Sequence, residues 1–242
     1  MYGVSWISYL PQYSLTTIRV TGAKELSPEL VETFVESRLF DGSRPFLSPY
    51  NIFLYPRAEL ERSITEYFPR IRTARISKET LLSQEIIVTI EERAPFARWC
   101  ADACYFMDKD GFIFTQETAS STPPATRYVF TGALSEANSP LGQTFLAGTF
   151  PELVIFLRQL ESANFSPSKI SVENTKDFSV SFMRGFELRA SFESDLKEVV
   201  RNLELVLSSD TLRGKEGALE YIDLRFGNRV YYKLEGVAAQ NQ

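Results

Sequence analysis

The chain has 242 residues, 44% apolar and 24% charged, with a net charge of −5 and no histidine. That is an ordinary folded chain of one large or two small domains, with no basic run to suit duplex nucleic acid or an acidic membrane surface. Without histidine, the usual general base, the usual activator of a Ser or Cys nucleophile and the usual zinc ligand are all missing.

The first eighteen residues, MYGVSWISYLPQYSLTTI, carry no charge. The length approaches the roughly 20 residues of a membrane span. Pro11, Gln12 and several Ser and Thr make it a poor one, and neither a basic leader nor a small-residue cleavage site accompanies it. Residues 1–14 read as the outer end of a membrane helix, with Trp6 and Tyr9 at the headgroup level, or as an aromatic leader packed on the domain.

From Leu15, LTTIRVTGAK alternates Ile18 and Val20 with polar residues and turns at Gly22, which predicts a half-buried strand. LSPELVETFVESRLF follows as a helix with Ser27 as N-cap, Pro28 at the first position and Glu29 in the first turn. DGSRPFLSPYN is a loop by its Gly, Pro and Ser content. RAELERSITEYF is a second helix with Leu60, Ile64 and Phe68 on one face. RIRTARISKE and QEIIVTIEE are two alternating strands around a turn at Thr80 to Ser83. The order strand-helix-helix-strand-strand spans residues 15–94 and buries an adequate core as a short sheet with both helices on one face. Its eleven Lys and Arg against twelve Asp and Glu imply no ligand sign.

The strand ending in Glu92 and Arg93 passes Pro95 and resumes at once as FARWC. Two modules are thus joined with almost no linker, the second running over 95–236. FARWCADACYFMDKDGFIFTQ reads as strand, turn, strand, turn and strand, with Asp110-Gly111 in a hairpin turn. TASSTPPAT is a surface loop, and residues 131–148 show no usable periodicity. FPELVIFLRQLESA is a helix with Leu153, Phe156, Leu157 and Leu160 on one face. KISVEN, FSVSFMR and FELRASF are strands, and SDLKEVVRNLELVLSS is a helix capped by Ser194. ALEYIDLRF and RVYYKLEG are two last strands turning at Gly227-Asn228, and residues 237–242 are a frayed tail. Nineteen Phe and eleven Tyr suit a sheet-rich architecture.

Candidate chemistry is thin. Cys100 and Cys104 flank a turn and admit two readings, a short-range disulfide in an oxidising compartment or two buried thiols. Asp108-Lys109-Asp110-Gly111 opens like a calcium loop, but no acidic ligand stands at the twelfth position, so it reads as a turn. Glu91 and Glu92 are neighbours in a strand and face opposite sides, so they form no carboxylate pair. Phosphate cradles are absent. The reading is of a non-enzyme that recognises partners through sheet edges. RVYYK leaves open backbone groups for an added strand unless the domain or the tail covers them.

The ordered motifs resemble the FtsQ/DivIB family of bacterial cell-division proteins. IRVTGAKELSPELV is similar to the start of that family's polypeptide-transport-associated (POTRA) domain. Glu92-Arg93, Pro95, Ala97 and Trp99 resemble its domain junction, FMDKDGFIF its D-x-x-G hairpin, and YIDLRFGNRVYYK its penultimate-strand IDLR signature. The fold expected is α+β, a POTRA module followed directly by a mixed β domain with two helices.

The resemblance implies a single-pass inner-membrane protein whose domains lie outside the cytoplasm. It implies a non-catalytic divisome scaffold, without cofactor or small-molecule substrate, that binds FtsB- and FtsL-like coiled-coil proteins and regulates septal wall synthesis. It places the partner at the C-terminal strand pair, where Phe226, Val230, Tyr231 and Tyr232 are the expected contacts. Arg93 is expected to tie carboxylate or backbone groups at the junction, with Trp99 packed beneath it. The cysteine pair and the DGSRPFLSPYN loop are not part of the resemblance. The second reading is a POTRA-bearing accessory of polypeptide transport or outer-membrane assembly. It expects a barrel downstream, where this chain instead has two amphipathic helices.

Overall fold

A computed structural model describes residues 10–39, 48, 50–118, 126, 128–134, 139–183, 185–227, 229–236 and 240–241. The chain divides into two units, Met1–Arg93 and Ala94–Gln242. In the first, β1 (Thr17–Thr21), α1 (Pro28–Leu39), α2 (Arg57–Tyr67), β2 (Ile71–Ser77) and β3 (Glu85–Glu92) follow one another, which is the POTRA order. The sheet runs β1-β3-β2, with β1 parallel and β2 antiparallel to β3. Parallel partners need a crossover, and the two helices lie within it. Two-residue spacing puts Ile86, Val88 and Ile90 of β3 on one face with Ala74 and Ile76 of β2, against Val31, Phe34, Val35, Leu60 and Ile64 of the helices.

Ser27 precedes Pro28 as expected, but its hydroxyl donates to the Glu29 carboxylate. That bond holds the Glu29 carboxyl below its usual range. Gly22 turns the chain at φ +87°, where a Cβ would stand 2.1 Å from the Ile90 carbonyl oxygen; only glycine fits there.

The second unit contains β4 (Ala97–Cys100), β5 (Cys104–Met107), β6 (Ile113–Gln116), β7 (Tyr128–Gly132), α3 (Phe150–Ser162), β8 (Pro167–Val172), β9 (Asp177–Phe182), β10 (Glu187–Ser191), α4 (Leu196–Ser208), β11 (Leu219–Phe226), β12 (Arg229–Leu234) and β13 (Gln240–Asn241). They form one ten-stranded sheet in the order β13-β12-β11-β10-β9-β8-β7-β4-β5-β6. β4 pairs parallel to β7, β7 to β8 and β10 to β11, with the β5–β6 hairpin, α3 and α4 as the respective crossovers. The helices thus cover one face of the sheet.

Register aligns one apolar row across seven strands: Trp99, Phe130, Ile170, Val180, Leu188, Ile222 and Tyr232. All seven are buried in one core with Leu153, Phe156, Leu157 and Leu160 of α3 and Val199, Val200 and Leu203 of α4. The opposite face alternates in Arg98, Lys169, Ser179, Ser181, Arg189, Asp223 and Tyr231, as a sheet covered on one side requires.

Three sequence expectations change. α4 is capped by Asp195, whose carboxylate accepts from the Lys197 N–H, and not by Ser194. The stretch without periodicity begins inside β7, a strand at the middle of the sheet. Gln240 and Asn241, read as frayed tail, pair antiparallel with Tyr232 and Tyr231. Most of the DGSRPFLSPYN and TASSTPPAT loops lies outside the described residues.

Candidate partner-binding edge and domain-end clamps

The four residues expected to meet a partner separate onto two faces. Tyr232 pairs with Ile222 on the helix-covered face and is 2% exposed. It is therefore a core residue, which corrects its assignment as a contact. Val230, two residues away, is half-buried against the same core. Tyr231 pairs with Asp223 on the polar face, and Phe226, 55% exposed, meets it edge to face with ring centroids 5.4 Å apart. The Arg225 guanidinium lies 5.6 Å from the Phe226 ring. An aromatic pair flanked by a cation thus stands beside β12, with large contact area and few rotors to freeze. On the outer side of β12, the pairing recorded with β13 involves Tyr231 and Tyr232.

Beneath that pair, Asp223 is buried and takes Arg225 at both oxygens, Nε to Oδ1 at 3.0 Å and Nη2 to Oδ2 at 2.7 Å. Asp177 and Glu173 approach the same guanidinium at 3.6 and 3.9 Å. The hydrogen bond to Asp223 leads the contributions that raise the Arg225 pKa above its ordinary value. In the β5–β6 hairpin, the Asp108 carboxylate accepts from the Asp110 and Phe112 N–H groups at 2.9 and 3.0 Å. Gly111 takes φ +82° there, where a Cβ would press on the Phe145 carbonyl and the Phe150 ring.

The family described as cell division protein FtsQ/DivIB, C-terminal, matches residues 97–225. The chain belongs to the FtsQ/DivIB cell-division family. Among curated proteins none matches it. The match runs from the first residue of β4 to Arg225 in β11, so Phe226 and all of β12 lie just past it. Two of the motifs that suggested FtsQ/DivIB from sequence, D-x-x-G and IDLR, do structural work in this chain: one closes a hairpin and the other locks an Asp–Arg pair. The family is one of non-enzymatic scaffolds with a role in the divisome. No described helix is long and apolar enough to cross a membrane.

The junction residues of this FtsQ/DivIB chain have these partners. The Glu92 side chain, 5% exposed, accepts from the backbone N–H groups of Lys24 (2.7 Å), Glu25 (3.0 Å) and Leu26 (3.1 Å) and from Arg70 Nε (3.1 Å). Burial alone pushes its carboxyl up, but those four donors together outweigh burial and hold it below the usual carboxylate range. Arg93 donates from its backbone N–H to the Arg70 carbonyl and from Nε to the Pro69 carbonyl. Pro95 is exposed. Trp99 lies in the second unit's core, its Nε1–H donating to the Gly132 carbonyl at 3.2 Å. Cys100 and Cys104 are joined as a disulfide across the β4–β5 turn.

The Glu92 clamp went unseen in sequence, although three N–H groups just after a left-handed glycine form a known type of anion nest. Nothing in the local pattern says which distant carboxylate fills it.

Proposed function

We propose that this FtsQ/DivIB chain is a single-pass membrane scaffold of the bacterial divisome, with both units on the extracytoplasmic side. It binds FtsB- and FtsL-like coiled-coil partners and so regulates septal wall synthesis without catalysing a reaction. One observation supports the site most directly. β12 ends the sheet apart from a two-residue strand, and Phe226 and Tyr231 project beside it from the solvent face. A partner strand added to β12 would gain ladder hydrogen bonds and the aromatic pair together. Tyr232 and Asp223 then belong to the support of the site and not to its surface.

The test is a binding assay with the FtsB-like partner from the same cell. Phe226→Lys and Tyr231→Lys should each weaken binding by about tenfold or more, as expected for aromatic anchors, and Val230→Pro should weaken strand addition while circular dichroism stays native. Wild-type affinity in all three would overturn the assignment. For topology, a periplasmic reporter fused after residue 236 should be active and a cytoplasmic one silent; the reverse pattern overturns the placement.

A further inference from the structure

The two ends of the first unit's sheet differ in the side chains they expose. Lys24, Glu25, Arg70, Glu91, Glu92 and Arg93 crowd the end where β3 leaves. At the other end three segments without a charged residue converge, Pro11–Thr16, Tyr50–Tyr55 and Thr80–Gln84, with Glu36, Lys78, Glu79 and Glu85 around them. In a chain that is 24% charged, such a meeting of neutral segments sets this end apart.

Hydrogen bonds knit the three together. The Ile52 N–H donates to the Tyr13 carbonyl at 2.9 Å, the Leu15 N–H to the Tyr50 carbonyl at 2.8 Å, and the Thr16 N–H to the Gln84 carbonyl at 2.8 Å. Gln84 Nε2 reaches back to the Pro11 carbonyl at 2.6 Å. Large apolar side chains point outward from this frame: Leu81 is 79% exposed, Leu82 66% and Phe53 57%, with Tyr13 packed against the Phe53 ring at 6.1 Å. Lys78 stands at the rim, its Nζ held by the Ile52 and Leu81 carbonyls at 2.7 and 3.0 Å and lying 5.4 Å from the Phe53 ring.

We propose that this apolar-tipped end is a foot that seats in the headgroup layer of a lipid bilayer, with Leu81, Leu82 and Phe53 entering the acyl boundary and Lys78 facing phosphate. It rests on the membrane placement proposed above. The occupant is argued from the chain itself. The uncharged residues 1–10 run in sequence straight into Pro11 of the frame, so a membrane met by them would lie at this end. Leucine and aromatic tips with a lysine at the rim match the interfacial zone, where aromatic rings settle and a lysine stem lies along apolar surface with its head in water.

The test holds the full chain at vesicles of phosphatidylethanolamine and phosphatidylglycerol through an N-terminal hexahistidine tag on a nickel-chelating lipid. This makes the foot independent of whether residues 1–18 anchor anything. Single cysteines at Phe53, Leu82 and, as a control, Met183 carry an environment-sensitive fluorophore. Expected are a blue shift and quenching by brominated acyl chains at positions 53 and 82, with neither at 183. In the untagged chain, L81E/L82E should lower vesicle partitioning by about tenfold, the scale of losing buried leucine surface. Water-like emission at 53 and 82 in the tethered chain overturns the foot, as does equal quenching at 183 or protection that appears only when a partner protein is added. An untagged wild type that fails to float, while the tethered chain shows quenching at 53 and 82, counts against the anchor alone.

Discussion

Replacing Glu92 by Gln tests whether the buried carboxylate is the main lock on the first unit's β1–α1 turn. Four donors converge on that carboxylate at 2.7–3.1 Å. Hydrogen bonds to a charged group contribute about 1.5–3 kcal/mol each, which would overshoot if summed. Lys24 and Glu25 are at the surface, so their N–H groups regain water when the charge goes. The Leu26 N–H and the Arg70 guanidinium are less exposed and recover less. A glutamine still offers one acceptor oxygen but turns an NH2 toward donors, so the loss should be about 2 kcal/mol. With a urea slope of about 1 kcal/mol/M for a unit of this size, the midpoint should fall by about 2 M.

Methyl NMR of the full chain reads both units at once, with Ile86 and Val88 reporting the first and Ile170 and Val180 the second as internal control. The folded carboxyl lies below its ordinary value of 4.5, so its stabilisation is fully present above that value and is lost as pH falls through the folded pKa. The gap between wild type and variant should therefore be constant from neutral pH down to about 5 and close below. Equal midpoints at pH 7, or a gap unchanged in strong acid, would refute the account.

Tyr232→Ala should destabilise the second unit by about 3 kcal/mol, the cost of an emptied aromatic core site, whereas Tyr231→Ala should cost under about 0.5 kcal/mol; calorimetry of both variants decides. Deleting residues 240–242 should speed amide exchange in Tyr232, whose N–H faces β13, and tighten binding of the FtsB-like partner, because a competing strand is removed; unchanged exchange would mean that β13 does not protect the edge. Reducing the Cys100–Cys104 bond should lower the second unit's stability by about 2 kcal/mol, the chain-entropy figure for so short a loop. Thiol labelling of protein from the oxidising side, with and without reductant, reports whether the bond is formed.

Local pattern was enough for much of this chain. The strand-helix-helix-strand-strand order of the first unit, the helix faces at Leu153–Leu160, and the hairpin at Asp108–Gly111 all depend on neighbours within a few residues. Spacing and turn chemistry fix those before any distant contact exists. The sequence also held the ordered motifs that point to FtsQ/DivIB. What it did not show depends on partners far away in the chain. β7 is short and bordered by loop-forming residues, and it becomes a strand because β4 and β8 flank it in parallel, across the β5–β6 hairpin and α3. Tyr231 and Tyr232 are equivalent by propensity, and only the register with Asp223 and Ile222 sends one to solvent and the other to the core. Glu92 is one of two adjacent glutamates on an alternating strand, and the turn after Gly22 makes it the buried one by offering three N–H groups nearly seventy positions earlier. Alternation names two faces of a strand, but only the packed sheet decides which of them meets water.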